Sequence, residues 1–428
     1  MVDIDQNERE YSVRFKEKDK RKNQRDDKFE ILRSVIGLRD TNNVLDLVKE
    51  SRRTVASENK NNPNITKDHQ TIVDINLYQI PSVHIKLTPE QAAKLRRHPD
   101  IRWVIEDAVR KADAESIPWG ITRVAADKLN PATRHRGYGV KVGIIDSGID
   151  FNHTDLKPNY KGGVSFIPGN SSPMDDFNFA PDGKTVIGTY HGTHVSGTVA
   201  AAVNNFGVVG VAPDVFLYAV KVLDKTGFSV GNSITQGMIW GNENKMDTCN
   251  MSLSGTGFAP DEADAMQLAS NESRFMSCSS GNNNIVNGGK PEVRYPAGLA
   301  GAWANGATDN TDTITDFSTW GPVGYVDFVG PGKGVISDKP GNTTQSLDGT
   351  SMSTPHVTGM YALGLANYRF SPCDTNTYPP NQRKLIHIVG AMISSCDTLG
   401  VVTPGTQDAH YGFGMPISDK ICDILLGQ

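Results

Sequence analysis

Val142-Gly143-Ile144-Ile145-Asp146-Ser147-Gly148 is a short apolar run that ends on an acid followed by a Ser-Gly turn. A run with no polar alternation is buried on both faces, as strands of a parallel sheet covered by helices are. The runs Val215 to Val222, Cys249 to Leu253 and Arg274 to Cys278 repeat the pattern, with helix-like segments between them. From Ile117 onward the expectation is therefore an α/β domain, a parallel sheet flanked by helices. Reactive residues of such a domain lie beyond the carboxyl ends of strands, and Asp146 stands at one of them.

The chain has 428 residues, 37% hydrophobic and 21% charged, enough for one large domain and a small one. Its formal net charge of −5 gives no basic footprint for nucleic acid, and no apolar run is long enough to span a bilayer. Met1 to Lys22 is strongly charged and lacks the apolar stretch of a secretory signal. As written the chain reads as cytoplasmic, or as secreted if a signal has been removed. Five cysteines, Cys249, Cys278, Cys373, Cys396 and Cys422, form no CxxC pair. A bridge between Cys373 and Cys396 and a set of free buried thiols both stay open.

Residues 1–113 read as a separate small unit. Tyr11 to Phe15 alternates like a strand, Phe29 to Lys49 has helical apolar spacing, and Val83 to Leu87 is strand-like again. Thr88-Pro89-Glu90-Gln91 supplies an N-cap, a proline at the first helical position and an early acid for a helix that His98-Pro99-Asp100 breaks. Ile101 to Ile105 is a last strand, giving β-α-β-α-β with Ser57 to Thr71 as a polar loop. This unit holds 23 Lys and Arg against 20 Asp and Glu, and residues 114–428 hold 20 against 28. Opposite signs favour docking of one part on the other.

Two further segments complete a constellation with Asp146: His191-Gly192-Thr193-His194 and Gly349-Thr350-Ser351-Met352-Ser353-Thr354-Pro355. A serine hydroxyl attacks an amide at neutral pH only if an imidazole takes its proton, and that imidazole needs a carboxylate to set its tautomer. The chain order Asp, His, Ser differs from the orders of chymotrypsin-like enzymes and α/β-hydrolases and is that of subtilisin. On these segments the chain resembles the subtilisin-like serine proteases (subtilases) of the bacterial subtilisin type, hydrolases that act on protein or peptide substrates.

The resemblance implies Asp146, His191 and Ser351 as the triad, with His194 a packed helix residue. Asn282, in Ser279-Ser280-Gly281-Asn282, is implied as an oxyanion donor beside the Ser351 N–H. Peptide substrates would add as a strand between Ser252-Leu253-Ser254-Gly255 and Gly227-Phe228-Ser229. Ser254 replaces a usual glycine there and adds a hydroxyl beside the primary specificity pocket. Residues 1–113 resemble the propeptide of the family, a small α+β, ferredoxin-like domain that is both chaperone and intramolecular inhibitor. Residues 114–428 would be the catalytic domain of a monomeric enzyme made as a zymogen.

Alignment with the family places autocatalytic cleavage between Asp113 and Ala114, with an aspartate at P1, the residue that gives the acyl group. Arg294 precedes Tyr295-Pro296-Ala297, where the family has its pocket floor, and an arginine there suits an acidic P1. A calcium loop maps onto residues 202–208. Carbonyls of Ala202, Phe206 and Val208, with Asn204, Asp155 and Glu115, are the implied Ca²⁺ ligands. Two other readings stand beside this one. A catalytically silent subtilase used as a binding module would not react with a serine probe. An esterase would want Gly-x-Ser-x-Gly, which Thr350-Ser351-Met352-Ser353 lacks.

Overall fold

The computed structural model describes residues 9–15, 72–76, 82–87, 89–99, 101–106, 115–129, 134–180, 186–368, 380–399 and 403–427. The chain divides into two compact units, Met1–Lys111 and Ala112–Gln428. The expected helix at Phe29 to Lys49, the Ser57 to Thr71 loop, the Asp113–Ala114 junction and Cys373 lie outside the described residues.

In the first unit β1 (Arg9–Phe15), β2 (Ile72–Asn76), β3 (Ser82–Leu87), α1 (Pro89–Arg96) and β4 (Ile101–Glu106) are described. The strands form an antiparallel sheet in the order β2-β3-β1-β4. Ala92 and Leu95 of α1 are buried, as are Ile101 and Val104 of β4. Strand β2 is an addition to the sequence reading. Its Asp74 and Asn76 interrupt a five-residue run too short to declare itself, and pairing with β3 is what makes it a strand.

The second unit begins with the short helix α2 (Trp119–Arg123) and is built on β5 (Lys141–Asp146), β6 (Tyr160–Ser165), a small pair β7 (Phe177–Phe179) and β8 (Val186–Gly188), and α3 (His191–Ala200). It continues through β9 (Phe216–Lys221), α4 (Ser233–Glu243), β10 (Thr248–Met251), α5 (Pro260–Asn271), β11 (Phe275–Ser279), β12 (Ala302–Thr308) and β13 (Phe328–Pro331). A hairpin β14 (Val335–Lys339) and β15 (Thr343–Leu347) precedes α6 (Thr350–Tyr368), α7 (Pro380–Ser395) and α8 (Ser418–Leu426).

Seven of these strands pair in parallel in the order β13-β12-β11-β10-β5-β9-β6. From β5 the chain moves to one side for β6 and β9, then crosses back for β10 to β13. The strand order thus reverses at β5, and the crevice at its carboxyl end is where such sheets bind ligands. All four expected apolar runs are strands of this sheet. Strands β6, β12 and β13 escaped the reading because glycine, proline and polar residues break their apolar pattern.

Helix α6 is buried on every side from Met352 to Tyr368 and packs on the sheet, with Tyr361 stacked on Phe275 at 4.3 Å between ring centroids. A helix apolar all round belongs in an interior, and burying each large aliphatic side chain contributes about 1.5–3 kcal/mol. Cys249, Cys278, Cys396 and Cys422 are free thiols among the described residues, and Cys373, the expected partner of Cys396, lies outside them. Burial pushes the thiols of Cys249 and Cys422 up to about 12, which leaves them protonated and unreactive.

Candidate active site

Asp146 is the last residue of β5 and fully buried, while His191 is the first residue of α3. Bringing them together requires the first turn of α3 to abut the end of β5. Gly192 permits it, because a Cβ there would lie 2.1 Å from the Gly148 carbonyl oxygen. His191 Nδ1 then sits 2.9 and 3.0 Å from the two Asp146 carboxylate oxygens. A carboxylate can only accept, so Nδ1 carries the proton and Nε2 is the basic nitrogen. Burial pulls the His191 pKa down. The Asp146 charge and hydrogen bond, with the charge of Asp175, outweigh that and leave it above its ordinary value.

Ser351 is the second residue of α6. Its Oγ donates to the Ser252 carbonyl at 3.2 Å, and Ser252 Oγ donates to the Ser351 carbonyl at 2.8 Å. Ser252 and His191 line one groove of about 610 Å³, which also takes in Gly227, Phe228, Leu253, Ser254 and Gly255. Both expected substrate-binding segments therefore wall the same groove as His191. Gly255 pairs with Tyr295 in an antiparallel bridge, N–H to carbonyl at 2.8 and 2.9 Å, which ties that wall to the loop carrying Arg294.

Asn282 follows β11. Its Oδ1 accepts from the Thr350 N–H and Oγ1, both at 2.9 Å. A backbone N–H can only donate, so the oxygen is the atom held there and Nδ2 is turned the other way. Nδ2 and the Ser351 nitrogen flank the same space: a Cβ on Gly349 would lie 3.4 Å from one and 3.6 Å from the other. Two donors beside the candidate nucleophile are what a developing oxyanion needs.

Residues 137–414 match the Subtilase family of peptidases (peptidase S8), about two thirds of the chain. The chain belongs to the subtilase family. M-protease of Shouchella clausii (strain KSM-K16) is 42% identical over 287 residues, 66% of this chain and 69% of that protein. Alkaline elastase YaB of Bacillus sp. (strain YaB) is 39% identical over the same lengths and shares. Subtilisin E of Bacillus subtilis (strain 168) is 38% identical over 280 residues, 65% and 69%. The chain is a subtilisin-like serine protease, an endopeptidase acting on proteins or peptides.

Behind the subtilase's Asp146 and His191 lies a polar network that the sequence reading missed. Asp175, buried, accepts from Ser147 Oγ at 2.6 Å, from the Thr193 N–H at 2.9 Å and from Thr193 Oγ1. Ser147 Oγ in turn accepts from the Gly192 N–H at 3.0 Å. Burial pushes the Asp175 carboxyl up to about 7, opposed by the Ser147 and Thr193 hydrogen bonds, with Asp146 raising it and Lys221 lowering it. Lys221, fully buried at the end of β9, reaches the Ser147 carbonyl and Asp176 Oδ2, the latter at 3.0 Å. A lysine inside Val220-Lys221-Val222 was the available signal, since a cation in an apolar strand demands partners.

Arg294 is buried, with its Cδ against Gly281 and its Nη1 3.1 Å from Glu292 Oε1. Its Nε makes no hydrogen bond among the described residues. Glu292, two residues upstream, was not read as its partner. His194 is buried, its Nε2 3.0 Å from the Gln345 carbonyl and 3.2 Å from that of Val335. It holds α3 to the β14–β15 hairpin, and burial pushes it down to about 4.

Three of the expected calcium ligands, Asp155, Asn204 and Glu115, lie close together in the subtilase. Asp155 Oδ1 lies 3.1 Å from Asn204 Nδ2, its Oδ2 accepts from the Val208 N–H at 3.0 Å, and Glu115 Oε1 accepts from the Asn204 N–H at 2.6 Å. Among the described residues the carbonyls of Ala202, Phe206 and Val208 accept no hydrogen bond outside regular strands and helices. Free carbonyls beside three oxygen-bearing side chains fit a hard divalent cation. Asp155 also belongs to a second group, in which the buried residues His153, Asp155 and Asp338 bring potential ligand atoms within 4.8 Å of one another.

Proposed function

We propose that this subtilase cleaves peptide bonds through an acyl intermediate on Ser351, with His191 as base and Asp146 orienting it. The Ser351 Oγ proton passes to His191 Nε2 as Oγ adds to the substrate carbonyl carbon. The tetrahedral oxygen is met by the Ser351 N–H and Asn282 Nδ2. Collapse breaks the C–N bond, and His191 returns its proton to the leaving amine. Water then repeats the sequence on the ester. Asp146, beneath His191, stabilises the imidazolium formed in each half.

The observation that carries this reading is the 2.9 Å contact between fully buried Asp146 and His191 Nδ1, which leaves Nε2 as the base. A fluorophosphonate probe tests it. Stoichiometric labelling of wild type and none of Ser351→Ala supports the assignment, and an unlabelled wild-type protein with no cleavage of any peptide overturns it.

Residues 1–113 act in this reading as intramolecular chaperone and inhibitor, released by self-cleavage between Asp113 and Ala114. Ser351→Ala should then remain a single 46.4 kDa chain. Mature-sized product from the purified variant, or another N-terminus on the processed form, removes the junction. The acidic P1 is supported by buried Arg294 with its unpartnered Nε. Glu292 already takes one guanidinium nitrogen, so a substrate carboxylate must share the cation with it. Arg294→Gly should shift P1 preference toward large apolar groups. A wild type that already favours Phe or Leu over Asp ends the acidic reading. A calcium ion held at Asp155, Asn204, Glu115 and the three carbonyls would stabilise the fold without entering the chemistry.

A further inference from the structure

One carboxylate lines the groove that holds His191 and Ser252. Glu262, in the first turn of α5, is half-buried in the groove that Ile234, Leu253 and Tyr295 also line. Among the described residues it makes no hydrogen bond and no ion pair, and no Lys or Arg lines the groove. Its neighbour Asp261 adds a second negative charge and is satisfied by Thr235 Oγ1 at 2.7 Å. Burial and the Asp261 charge push the Glu262 carboxyl above its ordinary value, the mark of a charge with nothing to neutralise it. A bound peptide would seal this carboxylate from water, and an apolar side chain lying over it would leave it desolvated and unpaired. A cationic side chain would remove that cost.

Resting on the proposed protease reading of this groove, we propose that Glu262 selects substrates with Arg or Lys at P4, three residues before the one that gives the acyl group. The position follows from strand geometry. Alternate side chains of an extended peptide leave on opposite faces, so P1 and P3 share one face and P2 and P4 the other. Arg294, the residue read as meeting P1, is absent from the lining of the groove that Glu262 lines, so we assign the Glu262 partner to the face opposite P1. The sequence before the expected junction, Arg110-Lys111-Ala112-Asp113, has charges that suit this assignment. With Asp113 at P1, the opposite face offers Ala112 and Arg110, and only Arg110 can meet a carboxylate. One stretch of four residues thus matches a cationic Arg294 at one end and an anionic Glu262 at the other.

The test is kcat/KM on internally quenched peptides identical except for Arg, Leu, Ala or Glu at P4, using the processed enzyme, Glu262→Gln and Glu262→Leu. Wild type should favour Arg over Leu by about tenfold at low ionic strength and far less in 1 M salt. Glu262→Gln should erase most of the Arg advantage, and Glu262→Leu should invert it. An Arg-to-Leu ratio unchanged by Glu262→Gln, or a wild type that prefers Leu, overturns the proposal while cleavage of the Ala peptide leaves the triad standing. Failure of wild type on the Ala peptide overturns both.

Discussion

Ser252 and Ser351 are joined by two opposed hydrogen bonds, each hydroxyl donating to the other residue's carbonyl, at 2.8 and 3.2 Å. The cause lies four residues on. Pro355 has no N–H, so the Ser351 carbonyl has no helical partner, and Ser252 Oγ supplies the missing donor. Asn250 Nδ2 donates to the same Ser252 Oγ at 2.9 Å, and Thr358 Oγ1 donates to Asn250 Oδ1 at 2.9 Å. The start of α6 is thereby locked to the end of β10, which places the candidate nucleophile at the switch point of the sheet.

Ser252→Ala should therefore act on both stability and rate. It leaves a carbonyl unpaired, costing about 1–3 kcal/mol, and frees the turn that carries Ser351. Denaturant unfolding and kcat measured together check this. Unchanged values in both would show that the reciprocal pair positions nothing.

The pH profile follows from the raised His191 pKa. Its folded value lies above the ordinary 6.5, so the base is neutral only above that raised value, and kcat/KM should rise with pH through it. Asp146→Asn removes the charge responsible, so the inflection should move down while the rate collapses. The stability contributed by the His191–Asp146 pair is full below the unfolded pKa and is lost as pH rises through the folded one. A kinetic inflection at or below 6.5 in wild type counts against this account.

Asn282→Ala should lower kcat by roughly 10²–10³, about 2.7–4 kcal/mol, and leave KM nearly unchanged, because its amide meets charge that exists only in the transition state. A rise in KM with kcat intact would place Asn282 in ground-state binding.

His194→Ala should lower the melting temperature yet leave the folded enzyme active. With its pKa pushed down to about 4 against an unfolded value near 6.5, the unfolded chain binds the extra proton between those values. Its stability contribution is present above about 6.5 and lost as pH falls toward 4. A variant that keeps its melting temperature but loses activity would exchange the roles of the two histidines.

Chelation should destabilise the processed enzyme, since an ion bound only by the folded state adds RT ln(1+[L]/Kd), about 2.7 kcal/mol at a hundredfold excess over Kd. Thermal unfolding in excess EDTA, repeated on Asp155→Ala, measures it. Identical melting temperatures with and without chelator in wild type would take calcium out of the account.

The sequence by itself determined the family and the layout of the larger unit. Apolar runs on both faces can only be interior strands, and the three segments at Asp146, His191 and Ser351 name chemistry that needs all three residue types. Asn282 is a candidate for the same reason, as a polar side chain just past a buried strand. Tertiary structure alone decided who partners whom. Asp175 stands 16 residues before His191 in an unremarkable acidic loop, and only folding brings it under Ser147 and Thr193. Glu292 and Glu262 are likewise ordinary surface acids in the sequence. One meets Arg294 two residues away, and the other lines the groove with no partner among the described residues. A carboxylate's effect depends on burial and on charges within a few ångströms, and these arise from contacts between residues far apart in the chain.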